Sequence, residues 1–437
     1  MSAEACSLEG WLQEQYRRSV PQMLRSISAL GIVKSRPGFG TTVRAAPGSV
    51  VASPILGAYD PDPDYFFHWF RDSAVVMDAL RLAHLRGALG EEAMRLFGEF
   101  VAFSLGLQEL DGRLLVNEPA WRARVQSDFV KFLRTDADLA RVQGAAIAGE
   151  TRVNPDGTLD ISSWPRPQHD GPATRALTLQ RWLTLPTLPA QTRAAAEDLL
   201  AADLAYVRSH WREACYDIWE EELGLHYYTL CVSAAALVPQ FPAEAAEIHR
   251  RLDEYWLSEA GYYRSRVLAD GTRSRKELDI APILAAIHVS ADVPQPDGAP
   301  RAGDPRHGVD DPRLQATLEQ LTALFERGYA INRGRPGGRG VAMGRYDGDV
   351  YYSGGAYYFS TLGAAEFCYR AARGGDARWL ARGDAFLEAV RAHTPEDGQL
   401  SEQFDRNSGV QTSARHLAWS YAALITCAEA RLAFTGC

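Results

Sequence analysis

The chain has no run of basic residues. Its formal net charge is −9 over 437 residues, which argues against nucleic acid and anionic membrane surfaces as partners and suits a neutral substrate. It has no apolar run near the ~20 residues that a bilayer-spanning helix needs. Its first residues, Met-Ser-Ala-Glu-Ala-Cys, lack the basic and apolar regions of a secretory signal. Cysteine is scarce: 6 residues, at 6, 215, 231, 368, 427 and 437, with no CxxC and no paired spacing. That excludes a disulfide framework and a zinc site, and points to reduced thiols in a cytoplasm. No βαβ rhythm and no fixed-period repeat runs through the sequence.

What is present is a 46% hydrophobic composition, ample for a sizeable core. Apolar residues recur at three- and four-residue steps and predict helices over 8–30, 72–88, 90–107, 172–185, 193–209, 225–239, 241–251, 278–288, 311–326, 356–373, 376–392 and 412–432. Residues 41–43 and 49–54 read as short β pieces and 255–270 as a hairpin. The stretch 108–171 reads mostly as loop, a length that is usually functional. Residues 291–310, rich in Pro, Gly and Asp, read as a surface loop. About twelve helices in consecutive pairs suit an all-α double-layered toroid, an (α/α)6 barrel. It is expected as one domain over 1–437, with the long loops gathered at one end.

Two stretches carry chemistry. Tyr216-Asp217-Ile218-Trp219-Glu220-Glu221-Glu222 sets three consecutive carboxyls behind a tryptophan; Ser401-Glu402-Gln403-Phe404-Asp405 supplies another. The plain reading of the glutamate run is a solvated helix start, favoured by the helix dipole. The chemical reading is a carboxyl pair facing one aromatic pocket: one group protonates a leaving oxygen and the other activates water or attacks. Residues 64–73 place five aromatics around Arg71 and Asp72. These form either an aromatic core with a capping Asp or a sugar site in which rings stack on pyranose faces and the charged pair binds hydroxyls. In 163–172, two prolines hold Trp164 and Arg166 in place. His68, His169 and His416 read as structural or rim residues.

Taken together, segments 65–73, 163–172, 216–221, 344–352, 401–405 and 413–423 resemble glycoside hydrolase family 15, the glucoamylases, in the compact fungal form without a starch-binding domain. The resemblance implies an (α/α)6 barrel that removes glucose from non-reducing ends with inversion. It matches Glu220 to the general acid and Glu402 to the general base. Arg71 and Asp72 match the pair gripping the terminal glucose, and Glu221 and Arg345 match residues that hold hydroxyls at the cleavage point and the next subsite. Trp69, Trp164, Trp219 and Trp419 match the pocket wall. Tyr65 matches a tyrosine near the catalytic water, and Tyr351 one beside the pocket. In those roles Glu220 stays protonated, raised by tryptophan walls and by Asp217 and Glu221, while Glu402 stays ionised. No metal or organic cofactor is implied. The partner is an oligosaccharide, with no nucleic acid and no membrane, and the chain is expected to be a monomer.

Five positions depart from the fungal pattern: Glu222, Leu223, Gly348, Tyr357 and His169. They shape the subsite for the second sugar and leave an α-1,6-preferring isomaltose-type hydrolase beside the α-1,4 reading. A non-catalytic glucan sensor, as in regulatory subunits of phosphorylase kinase, has no need to keep Glu220, Glu402, Arg71 and Asp72 together. A phosphorolytic enzyme needs a phosphate cradle, and no Gly-rich basic loop is found.

Overall fold

The structure, a computed structural model, describes residues 7–58, 62–290, 306–372 and 376–435. Most of the loop expected at 291–310, the end of the helix expected at 356–373, the first six residues and Cys437 lie outside the described residues.

Fourteen α-helices occur among the described residues, and twelve of them are long. They begin α1 (Leu8–Leu24), α2 (Phe70–Leu85) and α3 (Glu91–Gly106), followed by the short α4 (Gly112–Asn117) and α5 (Asp136–Arg141). Next come α6 (Asp170–Leu183), α7 (Ala190–His210), α8 (Tyr227–Leu237), α9 (Pro242–Asp253) and α10 (Ala281–Val289). The last are α11 (Pro312–Gly328), α12 (Tyr358–Ala372), α13 (Ala377–Ala392) and α14 (Ala418–Thr435). Helices α2, α6, α8, α10, α12 and α14 pack each against the next, and α14 packs back on α2 to close a ring. Helices α1, α3, α7, α9, α11 and α13 form a second layer outside it. This is the (α/α)6 barrel.

Sequence composition separates the layers. Helices α8 (YYTLCVSAAAL) and α10 (APILAAIHV) have almost no polar side and are buried nearly throughout, as a helix that is apolar all round must be. Outer helices carry one stripe. Leu314, Leu318, Leu321 and Phe325 are the large buried side chains of α11, at spacings of four, three and four. One apolar core joins residues from Leu12 to Ala430. Each large side chain in it contributes about 1.5–3 kcal/mol by leaving water.

The ring closes where the two halves of the chain meet. Ala418 N donates to Ala52 O (2.8 Å), Ser53 Oγ to Arg415 O (2.7 Å), and Gln15 Nε2 to Gly398 O (2.8 Å).

Small antiparallel sheets sit at the entrances to the inner helices. A separate pair, β1 (Val33–Arg36) with β2 (Thr41–Arg44), follows α1. Strand β3 (His68–Trp69) pairs with β4 (Arg152–Val153) and leads into α2. Strands β5 (Cys215–Tyr216) and β6 (Leu223–His226) pair, and β6 leads into α8. A hairpin of β7 (Trp256–Leu257) and β8 (Tyr262–Tyr263) is followed by β9 (Arg266–Leu268), which crosses to β6. Finally β10 (Ala356–Tyr357), β11 (Gln403–Phe404) and β12 (Gln411–Thr412) form a sheet before α12 and α14. The barrel end that carries these entrances is therefore the N-terminal, electropositive end of the inner helices.

Several boundaries differ from expectation. Helix α1 stops at Leu24 because Ser28 turns through a left-handed φ of 48° and Ile27 bridges to Val50. The expected 255–270 hairpin divides, since β9 finds its partner in β6. The 108–171 stretch holds α4, α5 and several 3-10 turns. The helix expected from 412 starts at Ala418, because residues 411–412 are taken by β12. No helix among the described residues is long and apolar enough to cross a membrane.

Candidate active site

The glutamate run is a turn, and it leads into strand β6, with the helix starting only at Tyr227. Asp217 folds the run around itself. Its Oδ1 accepts from Glu221 N (2.7 Å) and Glu222 N (3.0 Å), its carbonyl from Glu220 N (2.9 Å), and its amide donates to Glu222 O (3.2 Å). A ring this tight puts Glu220 at φ 65°. Such a conformation costs a non-glycine residue about 1–3 kcal/mol, and it persists where the surroundings over-determine it. Here the surroundings are Arg266, 2% exposed, whose Nη1 lies 2.8 Å from Asp217 Oδ2 and 2.9 Å from Glu222 Oε2 and whose Nη2 pairs with Asp279.

Glu220 faces into the barrel. Trp69 Nε1 donates to its Oε1 (2.8 Å) and Trp164 Nε1 to its Oε2; Arg71 Nη2 stands 3.6 Å from Oε1. Burial raises its pKa; Arg71 and Arg152 oppose that and Asp72 adds to it. The acidic neighbours expected to help, Asp217 and Glu221, are instead committed to Arg266 and to Arg345 and Lys276. For Asp217, burial acts to raise the pKa, and Arg266, His226 and the turn amides outweigh it and leave it lowered.

Glu402 enters from the other end of the chain, beside strand β11. Its amide donates to Ala414 O (2.8 Å), and its carbonyl accepts from Tyr358 N (3.2 Å). Ser413 Oγ donates to Oε2, and Tyr65 Oη to Oε1 at 3.2 Å. Tyr65 also bonds Tyr351 Oη (2.8 Å). Burial pushes Glu402 up to about 7, against the Ser413 bond, Arg345 and Tyr65. The shift works against the ionised form expected of a base, while the Ser413, Arg345 and Tyr65 contacts favour it. A carboxyl with a pKa near the working pH takes a proton from water more readily than an ordinary one.

The pair Arg71 and Asp72 lies in the first turn of α2. Arg71 bonds Asp72 Oδ2 and Asp170 Oδ2, each at 3.2 Å. Asp170 reaches it because Gly171 lets α6 approach α2: a Cβ at Gly171 would stand 2.7 Å from Phe70 Cβ. Asp72 does not cap α2, whose N-cap is Trp69. Arg345 forms a two-pronged pair with Asp349 (both contacts 2.7 Å) and touches Glu221 Oε1 at 3.1 Å. Trp219 Nε1 donates to Asp279 (2.8 Å), and Trp419 stacks on Phe359 with ring centres 4.5 Å apart.

Tyr65, Trp69, Arg71, Asp72, Trp164, Trp219, Glu220, Glu221, Arg345, Tyr351, Glu402 and Trp419 all line one cavity of about 230 Å³. This is somewhat below the ~300–1,000 Å³ of drug-sized sites. Ala52, Pro165, Ile218, Tyr357, Phe359 and Leu417 complete the lining. Asp170, Ser413 and Asp279 went unassigned in the sequence. The first two stand inside recognisable segments; Asp279 has no local signal. His68, His169 and His416 bond Val50 N, Tyr206 Oη and Tyr421 Oη, away from the carboxyl pair.

The Ser413 bond predicts a pH effect. It stabilises ionised Glu402, so Ser413→Ala raises that pKa further. If Glu402 acts ionised, the acid limb of kcat/KM moves to higher pH, by about one pH unit for a lost charge-assisted bond. An unmoved limb in a pH–rate profile would show that Glu402 does not set it.

The sequence model of Glycosyl hydrolases family 15 matches residues 37–109, 148–382 and 378–429. Glucoamylase-1 of Arthroderma benhamiae is 29% identical over 87% of this chain and 64% of its own length. Glucoamylase 1 of Rhizopus oryzae is 25% identical over 97% of this chain and 71% of its own. Among solved structures, the Hormoconis resinae glucoamylase superposes with a TM-score of 0.74 at 25% identity, covering 97% of this chain and 74% of that one. The match runs through the N-terminal loops, the glutamate turn and the Glu402 segment, which are the pieces that build the pocket. The chain belongs to Glycosyl hydrolases family 15.

Proposed function

We propose that this glycoside hydrolase is an inverting, exo-acting α-glucosidase that releases β-D-glucose from the non-reducing ends of malto-oligosaccharides and related α-glucans. The observation that carries the reading is the pair of buried carboxyls on one small cavity, each with its own partners. Glu220 stands between two indole N–H groups and Arg71; Glu402 is held by Ser413 and Tyr65.

Glu220 gives its proton to the glycosidic oxygen as the C1–O bond breaks. Glu402 takes a proton from a water molecule whose oxygen bonds C1 from the opposite face, and inversion follows. Arg71 and Asp72, deep and nearly buried, hold hydroxyls of the terminal glucose. Trp69, Trp164, Trp219 and Trp419 wall it, Tyr65 orients the water, and Tyr351 supports Tyr65. Glu221 and Arg345 set the side from which the next sugar leaves. The buried, unbridged Cys215, Cys231, Cys368 and Cys427 support a reducing cytoplasm as its compartment, and we take the working form as a monomer.

The test is glucose release from maltotriose, panose and isomaltose, with NMR of the first-formed anomer. β-Glucose is expected, with the ranking of the three giving the linkage preference. α-Glucose would overturn inversion, and no glucose from any of them would overturn hydrolysis.

A further inference from the structure

We propose that Lys276 binds the second sugar unit of the substrate. This rests on the reading of the pocket as a glucoside site. Residues 265–277 are pinned to the catalytic turn at two neighbouring glutamates. Ser274 Oγ donates to Glu222 Oε2 (2.7 Å) and accepts from Lys276 N (2.9 Å), and Lys276 Nζ donates to Glu221 Oε2 (2.7 Å). Ser265 N donates to Glu277 O at 2.7 Å. The ammonium is thus held in register with Glu220, while its side chain stays 30% exposed.

Glu221 itself has little acceptor capacity left for a sugar. A carboxylate offers about four acceptor positions. Arg345 takes one on Oε1 (3.1 Å), Lys276 one on Oε2, and Tyr346 Oη stands within reach of both oxygens, 2.7 Å from Oε1. Lys276 has the opposite balance. It carries three N–H donors, of which one goes to Glu221; its ring contact is Tyr346, 4.8 Å away. Donors therefore remain for hydroxyl oxygens beside Glu221, a residue of the cavity wall. Depth assigns the subsite. Arg71 and Asp72 on the cavity wall are 4 and 8% exposed and suit the enclosed terminal glucose, whereas Lys276, 30% exposed beside the wall residue Glu221, suits the next, less enclosed unit.

The test compares Lys276→Met and Lys276→Arg with the wild type. The Lys276–Glu221 pair is only part-buried, its side chains 30 and 24% exposed, so both variants are expected to fold. For maltose and maltotriose, Lys276→Met is expected to raise KM on the order of tenfold with kcat little changed, a loss of binding common to ground and transition states. Lys276→Arg recovers part of the loss. KM for an aryl α-glucoside, which has no second sugar, stays put. Equal KM values across all substrates, or an equal rise with the aryl glucoside, would overturn the proposal. Binding gives a readout independent of turnover. In a Glu402→Gln background, titration of tryptophan fluorescence with glucose and with maltotriose measures the advantage of the longer sugar. That advantage shrinks when Lys276→Met is added; an unchanged advantage would overturn the proposal. Wild-type protein that binds maltotriose yet releases no glucose would overturn hydrolysis and leave Lys276 in place. Protein that binds neither sugar would overturn both.

Discussion

Glu220→Gln and Glu402→Gln each lose hydrolysis of maltotriose by about 10²–10⁴-fold, the usual worth of a positioned acid or base. The two losses separate on a substrate whose leaving group needs no proton. On α-glucosyl fluoride, Glu220→Gln recovers much of its rate because departure of fluoride asks little of an acid, whereas Glu402→Gln does not because water still needs its base. Glutamine keeps an acceptor oxygen for Trp69 and Trp164, so the wall survives. It also removes an ionisable group from a place hostile to charge. Glu402, raised to about 7, contributes stability below its unfolded pKa and loses it as pH rises through 7. Above that pH, Glu402→Gln is expected to unfold no more easily than wild type. Near-normal turnover of maltotriose in either variant would sink the assignment.

Arg266→Met is expected to destabilise the fold by about 3–5 kcal/mol, the scale of removing one partner from a buried ion cluster. Arg266 is 2% exposed and answers Asp217, Glu222 and Asp279 at once. Without it Asp217 and Asp279 are carboxyls in the interior with no cation. In the wild type the lowered Asp217 supports the fold above its unfolded pKa, near the ordinary 3.8, and loses that support as pH falls through its folded value. In the variant, burial is opposed only by His226 and the turn amides, so the Asp217 pKa rises and the support above its unfolded pKa shrinks. The difference between variant and wild type should therefore be larger at pH 7 than at pH 4, in urea midpoints followed by circular dichroism. Activity should fall too, since the turn that strains Glu220 has lost its anchor. A change below about 1 kcal/mol, the level of a surface pair, would show that Arg266 is dispensable.

The barrel was legible because burial on two sides and burial on one side leave different marks: α8 and α10 are apolar all round, and α9 and α11 are striped. The pocket was legible wherever aromatic and charged residues crowd one short segment, as in 64–73 and 216–222. Single-residue backbone events were not. Ser28 and Glu220 take left-handed φ values that nothing local demands, and those two turns moved the end of α1 and made a turn of an apparent helix start. Long-range partners were hidden for the same reason. Arg266, Lys276 and Asp279 sit in a stretch with ordinary charge alternation, and only the crossing of β9 to β6 brings them under the glutamate turn.

The seam between α14 and the first helices also bears on synthesis. Gln15 and Gly398 are bonded across 383 residues of sequence, and Glu402 enters the pocket only with the segment that closes the ring. A ribosome making this chain from its N-terminus lays down Arg71, Glu220 and Arg345 long before their last neighbour exists. Contacts at such separation form late and slowly, so five inner helices wait with an apolar flank uncovered, a state prone to sticking to its own kind. The nascent protein is thus expected to be inert toward glucan until α14 emerges, and its yield in the cell should depend on how well that open flank is shielded during the interval.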